Sequence, residues 1–437
     1  MFHIILSADE NYIKYTSVLI TSIIYKTNPK LSFKDFCHKE GFKAPKNSSF
    51  TSYQNMNLNT LSKQENKEYC KEGYVFHILS NSISSTTQKK LKELQNALHA
   101  IYPCEILTHL INDKEFANFP ISGAAHSNYL PYYRLRLDFY LDDSITKCLY
   151  LDSDMLCLCD LRELFAIDLK DYILAAINDP GTKKRKIKYK ENGKTTTFNF
   201  NDDYFNSGFL LINTLNYKQH KIQEKCEDLA KKCYYIKAAD QDLLNATIPQ
   251  DKLLKLPIAY NFSSISFCIA ICKDEQKYRL NCTREEFMQS YRNPKIIHYG
   301  EKPWKFLQSY VNSKEENIND IWWHYATITP SFNQELLESK TSIKEYLHFA
   351  SLGFEVFKLS SKFTGYFALK TLIHTPENDA NLTTKIPKDL FGLCCILGEI
   401  ILFARKHKKG ALSVLLKALK IKRNFKKFST QKFNQLL

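Results

Sequence analysis

Apolar positions fall into two alternating rhythms over roughly the first 300 residues. His3–Ser7, Tyr74–Leu79, Glu105–Leu110, Cys148–Leu151, Ile173–Ile177 and Gly208–Asn213 are short runs dominated by aliphatic and aromatic side chains, and they read as β-strands. Between them lie segments with helical spacing. Tyr12–Thr27 is one, stopped by Asn28-Pro29; Thr86–Ile101 is another, with Leu91, Leu94 and Leu98 on one face; Leu130–Leu141 also reads as helical. Such alternation predicts parallel strands joined by crossover helices, an α/β sandwich. In sheets of that kind, ligands gather beyond the carboxyl ends of the strands. Asp9 and Asp152 both lie just past predicted strand ends.

Two stretches break the rhythm. Residues 31–73 are polar and rich in Ser, Asn and Lys, too long for an ordinary loop, and are expected to be an inserted flap near the site or a disordered excursion. Gly181–Asn201 is basic and is expected to be a loop. Beyond about residue 305 the pattern turns helical, and Leu412, Leu415, Leu416, Leu419, Phe425 and Phe428 recur among lysines. The expected division is a catalytic domain over 1–305, interrupted by 31–73, and a helical, basic region over 306–437.

Composition adds limits. The apolar and charged fractions, 44% and 24%, are those of an ordinary globular protein. Thirteen cysteines, none spaced Cys-x-x-Cys and several inside apolar runs, point to free thiols in a reducing compartment. Phe2–Leu6 lacks the flanks of a signal peptide and reads as a first strand. No apolar run approaches the roughly 20 residues of a membrane span; the nearest, Phe391–Ala404, carries Glu399. The expected location is therefore cytoplasmic. The net charge of +15 is concentrated at one end, because residues 400–437 hold eleven Lys or Arg and no acid. A basic amphipathic segment suits an anionic membrane surface, here the cytoplasmic face of an inner membrane, with a solvated helix as the plainer alternative. No nucleic-acid module accompanies the charge, so nucleic acid is not an expected partner.

The most telling chemistry is in Cys148-Leu149-Tyr150-Leu151-Asp152-Ser153-Asp154, an apolar strand ending in two carboxylates one residue apart. Alternate residues on an extended strand face the same way, so Asp152 and Asp154 can present hard oxygen ligands together, as Mg²⁺ or Mn²⁺ holding a diphosphate requires. By itself this pattern is common in solvated turns. It stands, however, in an ordered series: Leu6-Ser7-Ala8-Asp9-Glu10-Asn11-Tyr12 before it, then Tyr204-Phe205-Asn206-Ser207-Gly208, Asp240-Gln241-Asp242-Leu243-Leu244-Asn245, and Ile297-His298-Tyr299-Gly300-Glu301-Lys302-Pro303-Trp304.

This series resembles glycosyltransferase family 8, which includes bacterial lipopolysaccharide galactosyl- and glucosyltransferases and glycogenin. The likeness covers roughly residues 1–27 and 74–305. The 31–73 segment, with Ser32-Phe33-Lys34-Asp35-Phe36-Cys37, looks like the subgroup of Helicobacter and Campylobacter relatives. The resemblance implies a GT-A fold, a UDP-sugar donor (UDP-galactose or UDP-glucose), Mn²⁺ or Mg²⁺, retention of anomeric configuration and a lipid-linked oligosaccharide acceptor. It implies Asp152, Asp154 and His298 as metal ligands. Ala8, Asp9 and Asn11 match a uridine-binding turn, although Asp9 or Asn11 could equally cap a helix. Arg134, Asn206 and Gly208 match donor-binding positions, Asp240 and Gln241 the pair facing the sugar and its reacting carbon, and Asp179 a position near the acceptor. Gly300 and Lys302 match groups on the leaving diphosphate, in a loop shorter than the family's and bearing the acid Glu301. Front-face attack, with the departing phosphate oxygen as base, is the expected route. The rival expectations are a self-glucosylating enzyme like glycogenin and a catalytically silent protein of the same fold.

Overall fold

A computed structural model describes residues 1–38, 72–121, 128–179, 185–271, 282–305, 310–359, 369, 372–373, 391–406 and 411–425. The centre is a seven-stranded sheet in the order β11-β6-β9-β4-β1-β2-β3. Its strands are β1 (Phe2–Ser7), β2 (Tyr74–Ser80), β3 (Cys104–Leu110), β4 (Lys147–Asp152), β6 (Leu174–Asn178), β9 (Phe205–Asn213) and β11 (Leu253–Lys255). β1 runs parallel to both β2 and β4, and β2 runs parallel to β3. Strands β1, β2, β4 and β6 are near-continuous buried runs, as sheets covered on both faces require. Helix α1 (Ile13–Lys26) is buried over most of its length, its inward hydroxyls satisfied within the helix: Ser17 donates to Ile13 O and Thr21 to Ser17 O.

Three sequence expectations are corrected. First, the sheet is not wholly parallel, since β9 is antiparallel to both neighbours, β4 and β6. The reason lies in the second correction. Residues 186–199, expected as loop, form a hairpin of β7 (Lys186–Glu191) and β8 (Lys194–Asn199) turning at Asn192-Gly193, whose φ values are 50° and 75°. Two successive positive φ angles fit the twist of paired strands, which is why Asn-Gly makes tight hairpins. The chain leaves the carboxyl end of β6, makes this hairpin and re-enters as β9 from the same end, so β9 must run backwards. Third, Leu130–Leu141 is two 3₁₀ turns, Leu130–Leu135 and Leu137–Phe139, with four consecutive buried residues, Tyr132–Leu135, in place of a one-faced α-helix. Residues 181–184 of the expected loop lie outside the described residues.

A small three-stranded sheet, β12 (Phe262–Ser263), β13 (Ile296–His298) and β5 (Met155–Cys157), pairs His298 with Met155 and Ser263 with His298. The first compact unit runs from Met1 to Leu336, beyond the boundary expected at 305. Aromatic packing carries it further: Trp304 stacks on Tyr15 at 4.0 Å and touches Trp322, on the buried helix Ile318–Ile328. Glu335 then bridges Lys14 and Lys90.

The second unit, Leu337–Leu437, has its own apolar cluster, including Leu352, Val356, Leu397, Ile401, Val414 and Ala418. Its last described helix, Ala411–Phe425, turns Ala411, Val414 and Ala418 inward and leaves Leu412 and Leu416 57% and 59% exposed. Among the described residues no helix is long and apolar enough to cross a membrane. Phe428 and residues 39–71 of the expected insertion lie outside the described residues; Phe33–His38 is a short helix. Ten cysteines, Cys37, Cys148 and Cys394 among them, are free thiols.

Candidate active site

The carboxyl end of β1 and the turn between β4 and β5 build the site's floor. Ser7, the last residue of β1, pairs with Asp152, the last of β4. Buried Ser153 donates to Ser7 O at 2.8 Å, which pins the turn, and Tyr299 N–H donates to Asp154 O at 2.9 Å, which fastens the His298 strand beside it. Asp152, Asp154 and His298 thereby converge, their ligand atoms within 4.8 Å of one another. His298 Nε2 lies 3.2 Å from Asp154 Oδ1 and 3.9 Å from Asp152 Oδ2.

The electrostatics suit a cation. Burial drives the His298 pKa down, against the pull of Asp152 and Asp179. Burial opposes the charge on Asp152, but Arg134, His298 and Lys302 outweigh it and hold that carboxylate below its usual range. Asp154 Oδ1 is buried with no hydrogen-bond partner, and the Lys302 ammonium already lies against Asp154 Oδ2. Two carboxylate oxygens and an imidazole nitrogen are a suitable donor set for Mn²⁺, and acceptable for Mg²⁺. Space is kept by Gly208, where a Cβ would sit 2.5 Å from Asp152 Oδ2 and 2.9 Å from His298 Cε1.

Arg134 is buried rather than on a helix surface. It donates to Ser207 O at 2.7 Å, to Pro131 O at 3.1 Å and to Asp152 Oδ1 at 2.8 Å, and its Nε lies 3.2 Å from Asp240 Oδ2. Its guanidinium stacks 4.1 Å above the Tyr150 ring. It thus ties the metal-site carboxylate to the one at the start of helix Ala239–Thr247. Burial pushes Asp240 up to about 6, with Arg134 only partly offsetting it. Beside it, Gln241 Oε1 accepts from Asn206 Nδ2 at 3.0 Å, and Gln241 Nε2 donates to Asp179 Oδ2 at 3.2 Å.

The remaining expected residues sit as follows. Ala8 is buried and bonded to Leu79 O; Asp9 Oδ1 accepts from Tyr12 N–H at 2.9 Å, capping the chain's entry into α1; Asn11 is exposed. Gly300 and Glu301 N–H both donate to Ser264 Oγ, at 3.1 and 3.4 Å, so the short loop folds onto Ser264. Lys302 donates to Tyr299 O at 2.7 Å as well as to Asp154, and burial lowers its pKa to about 8.

Three residues that sequence reasoning passed over complete the site. Asn261 Oδ1 accepts from His298 Nδ1 at 2.9 Å, and its Nδ2 donates to Asn206 Oδ1 at 2.8 Å. Asp242, fully buried, accepts from Lys237 and Ala238 N–H at 2.9 and 2.8 Å and from Tyr204 OH at 2.6 Å. That clamp holds Ala239 at φ 38°, a strained angle for a residue with a side chain, and delivers Asp240 into the site. Asn245 clasps Phe205 through both backbone groups, at 2.8 and 2.9 Å. Asp242 and Asn245 stood in the Asp-Gln-Asp motif itself; for Asn261 the signal was a lone amide in the apolar run Ile258–Phe262.

Comparison with known proteins agrees with this geometry. The family model "Glycosyl transferase family 8" matches residues 3–308. The glycosyltransferase GlyA of Streptococcus pneumoniae is 29% identical over 286 residues, covering 61% of this chain and 36% of GlyA, so the chain spans about a third of that relative's length. A lipopolysaccharide 1,2-glucosyltransferase of Escherichia coli is 28% identical over 285 residues, covering 63% of this chain and 74% of the relative. The apo structure of the bifunctional glycosyltransferase WbbM superposes with a TM-score of 0.50 at 18% identity, over 77% of this chain and 51% of WbbM, a likeness of fold. The architecture is the GT-A fold, and since the matched region takes in the first strand, the Asp152–Asp154 turn and His298, the chain belongs to glycosyltransferase family 8.

Proposed function

We propose that this protein is a metal-dependent, retaining hexosyltransferase that moves galactose or glucose from a UDP-sugar to a lipopolysaccharide or lipooligosaccharide acceptor. The observation that carries the reading is the convergence of Asp152, Asp154 and His298 around a gap that only a glycine leaves open. These three side chains would hold Mn²⁺ or Mg²⁺, which when bound neutralises charge on a diphosphate leaving group. Ala8, Asp9 and Asn11 would receive the uridine, and Asn206, Gly208, Asp240 and Gln241 the hexose. Arg134 fixes Asp152 and Asp240 in one frame. Lys302 would transfer its ammonium from Asp154 to the diphosphate, with Gly300 N–H beside it. Asp179, bonded to Gln241, would face the acceptor. The acceptor class draws on the E. coli relative's name.

Front-face attack is favoured by how the candidate nucleophiles are engaged. Gln241 is a neutral amide held at both ends, Asp240 is paired with Arg134, and Asp242 is consumed by two backbone N–H groups and Tyr204. The bond from the anomeric carbon to the phosphate oxygen breaks, the bond to the acceptor oxygen forms on the same face, and the acceptor proton passes to the departing phosphate. We also propose that Leu412 and Leu416, exposed on the basic last helix, seat the protein on the anionic cytoplasmic face of an inner membrane.

The test is UDP release from UDP-glucose, UDP-galactose and UDP-N-acetylglucosamine with Mn²⁺, alongside Asp152→Ala and Asp154→Ala. Turnover with at least one donor, lost by ~100-fold or more in either variant and abolished by EDTA, is the expected result. Equal turnover in the variants, or in EDTA, overturns the reading. NMR of the first-formed product reports the anomeric configuration.

A further inference from the structure

A single chain of hydrogen bonds crosses the site from the metal cluster to the acceptor side. His298 Nδ1 meets Asn261 Oδ1 at 2.9 Å; Asn261 Nδ2 donates to Asn206 Oδ1 at 2.8 Å; Asn206 Nδ2 donates to Gln241 Oε1 at 3.0 Å; Gln241 Nε2 donates to Asp179 Oδ2 at 3.2 Å. An amide could sit in either of two orientations, but here two backbone donors decide. Gly208 N–H points at Asn206 Oδ1 at 3.0 Å, so that atom must be the oxygen. Ser207 N–H points at Gln241 Oε1 at 3.1 Å, with the same consequence. A backbone N–H cannot act as acceptor, so adjacent residues of β9 set the direction of the whole chain. Asn261 must then donate to Asn206 and present its oxygen to His298. Nδ1 of His298 must therefore carry a proton, and Nε2, turned toward Asp154 Oδ1 3.2 Å away, is the nitrogen left to take a metal. A cation held between these two atoms would take a lone pair from each.

We infer that Asn261 is a positioning residue that fixes the His298 tautomer for metal binding and, through Asn206 and Gln241, couples the metal end of the site to the end that holds the sugar. Asn261 is buried and lies on neither the metal turn nor the sugar-facing helix; it precedes β12, whose Ser263 pairs with His298. With the amide gone, the imidazole is free to change tautomer or turn, and Asn206 Oδ1 keeps only the Gly208 bond. Ligand positioning by an outer hydrogen-bond partner typically changes metal affinity by about 10–100-fold. The inference rests on the metal-dependent UDP-sugar reading above, but part of its test needs neither metal nor turnover.

The experiment uses the full chain as Asn261→Leu and Asn261→Asp. Three quantities are measured: the ¹⁵N resonances of the His298 ring in metal-free protein, assigned by their loss in His298→Ala; Mn²⁺ affinity by electron paramagnetic resonance without nucleotide; and the affinity ratio of UDP-glucose and UDP-galactose to UDP at saturating Mn²⁺. Wild type is expected to show protonated Nδ1. Asn261→Leu is expected to mix tautomers, weaken Mn²⁺ by about 10–100-fold and lose the contribution of the hexose to binding. Asn261→Asp still accepts from Nδ1 but cannot donate to Asn206. It should keep the tautomer and Mn²⁺ affinity while losing the hexose contribution. If Asn261→Leu fails to fold, that split in Asn261→Asp decides alone. An unchanged tautomer and Mn²⁺ affinity in folded Asn261→Leu, or an intact hexose contribution in Asn261→Asp, overturns the inference. Wild type with the Nδ1–H tautomer but no Mn²⁺ binding refutes the metal reading and with it the coupling.

Discussion

Gly208 and Gly300 both lie in motifs that resemble donor-binding elements, yet the space around them differs. A Cβ at Gly208 meets Asp152 Oδ2 at 2.5 Å and His298 Cε1 at 2.9 Å, and neither atom is free to retreat: Asp152 is held by Arg134 and by Tyr150 OH, and His298 by Asn261. A Cβ at Gly300 meets only Ser264 Oγ, at 3.5 Å, an ordinary contact. Gly208→Ala should therefore lower Mn²⁺-dependent UDP release by about 100-fold or more, as displacement of catalytic groups does, whereas Gly300→Ala should stay within a few-fold of wild type. Similar losses in the two variants would show that the close space around Gly208 is not what sets the rate. Asp152, Asp154 and His298 were legible because Asp152 and His298 close strands and Asp154 stands in the turn two residues after Asp152, all in a fixed motif order. Asn261 was not, because a buried amide carries no spacing signature: its partners, His298 and Asn206, lie 37 and 55 residues away in sequence and are brought to it only by β13 and β9.

The parallel strands β1, β2 and β3 carry a ladder of histidines. His3 Nδ1 and His77 Nε2 are 3.0 Å apart, as are His77 Nδ1 and His109 Nε2, with the His77 and His109 rings stacked at 5.2 Å. Burial lowers all three, His77 to about 3 and His3 to about 4. The sign follows from the unfolded chain, whose histidines titrate near 6.5: above that value both states are neutral and stability is full. Below it only the unfolded chain takes up protons, so stability falls until the folded values are reached. His77 alone should cost on the order of 3 kcal/mol at pH 4. Urea unfolding of wild type and His77→Gln at pH 7 and pH 4 measures this, with the variant expected to lose less; parallel losses would refute it. The strands that carry the ladder were readable from their apolar runs. The hairpin was not, because its lysines suggested solvated loop although Asn192-Gly193 marked the turn. Leu130–Leu141 misled for the opposite reason: its apolar spacing resembles a helix, but the four consecutive residues Tyr132–Leu135 are all buried.

At the scale of the whole molecule the sequence divides near residue 305, where its pattern turns helical, and packing divides it at Leu336. The unit that carries the site extends to Leu336 because Trp304, Trp322 and Glu335 fasten later residues to α1, a long-range fit that no local pattern announces. The basic end belongs to the second unit, where composition alone does not say which apolar side chains form the core. Helix Ala411–Phe425 uses its small residues for that purpose, with Ala411, Val414 and Ala418 inside and Leu412 and Leu416 one turn apart outside. Two exposed leucines one turn apart among lysines are what the proposed interfacial helix would press into a membrane surface. Leu412→Ser/Leu416→Ser removes the apolar contact without opening the core, so the melting temperature should change little. Each leucine is already partly covered, so its insertion contributes about 1 kcal/mol, and the pair should lower partitioning onto phosphatidylglycerol vesicles by about 10–30-fold. Binding of wild type should also weaken with added salt, as attraction between lysines and anionic headgroups requires. Sedimentation with vesicles of phosphatidylglycerol and, as control, phosphatidylcholine measures both effects. Vesicle binding unchanged in the double variant would mean that Leu412 and Leu416 do not enter the membrane interface, and binding equal on the two lipids would remove the role of the basic charge.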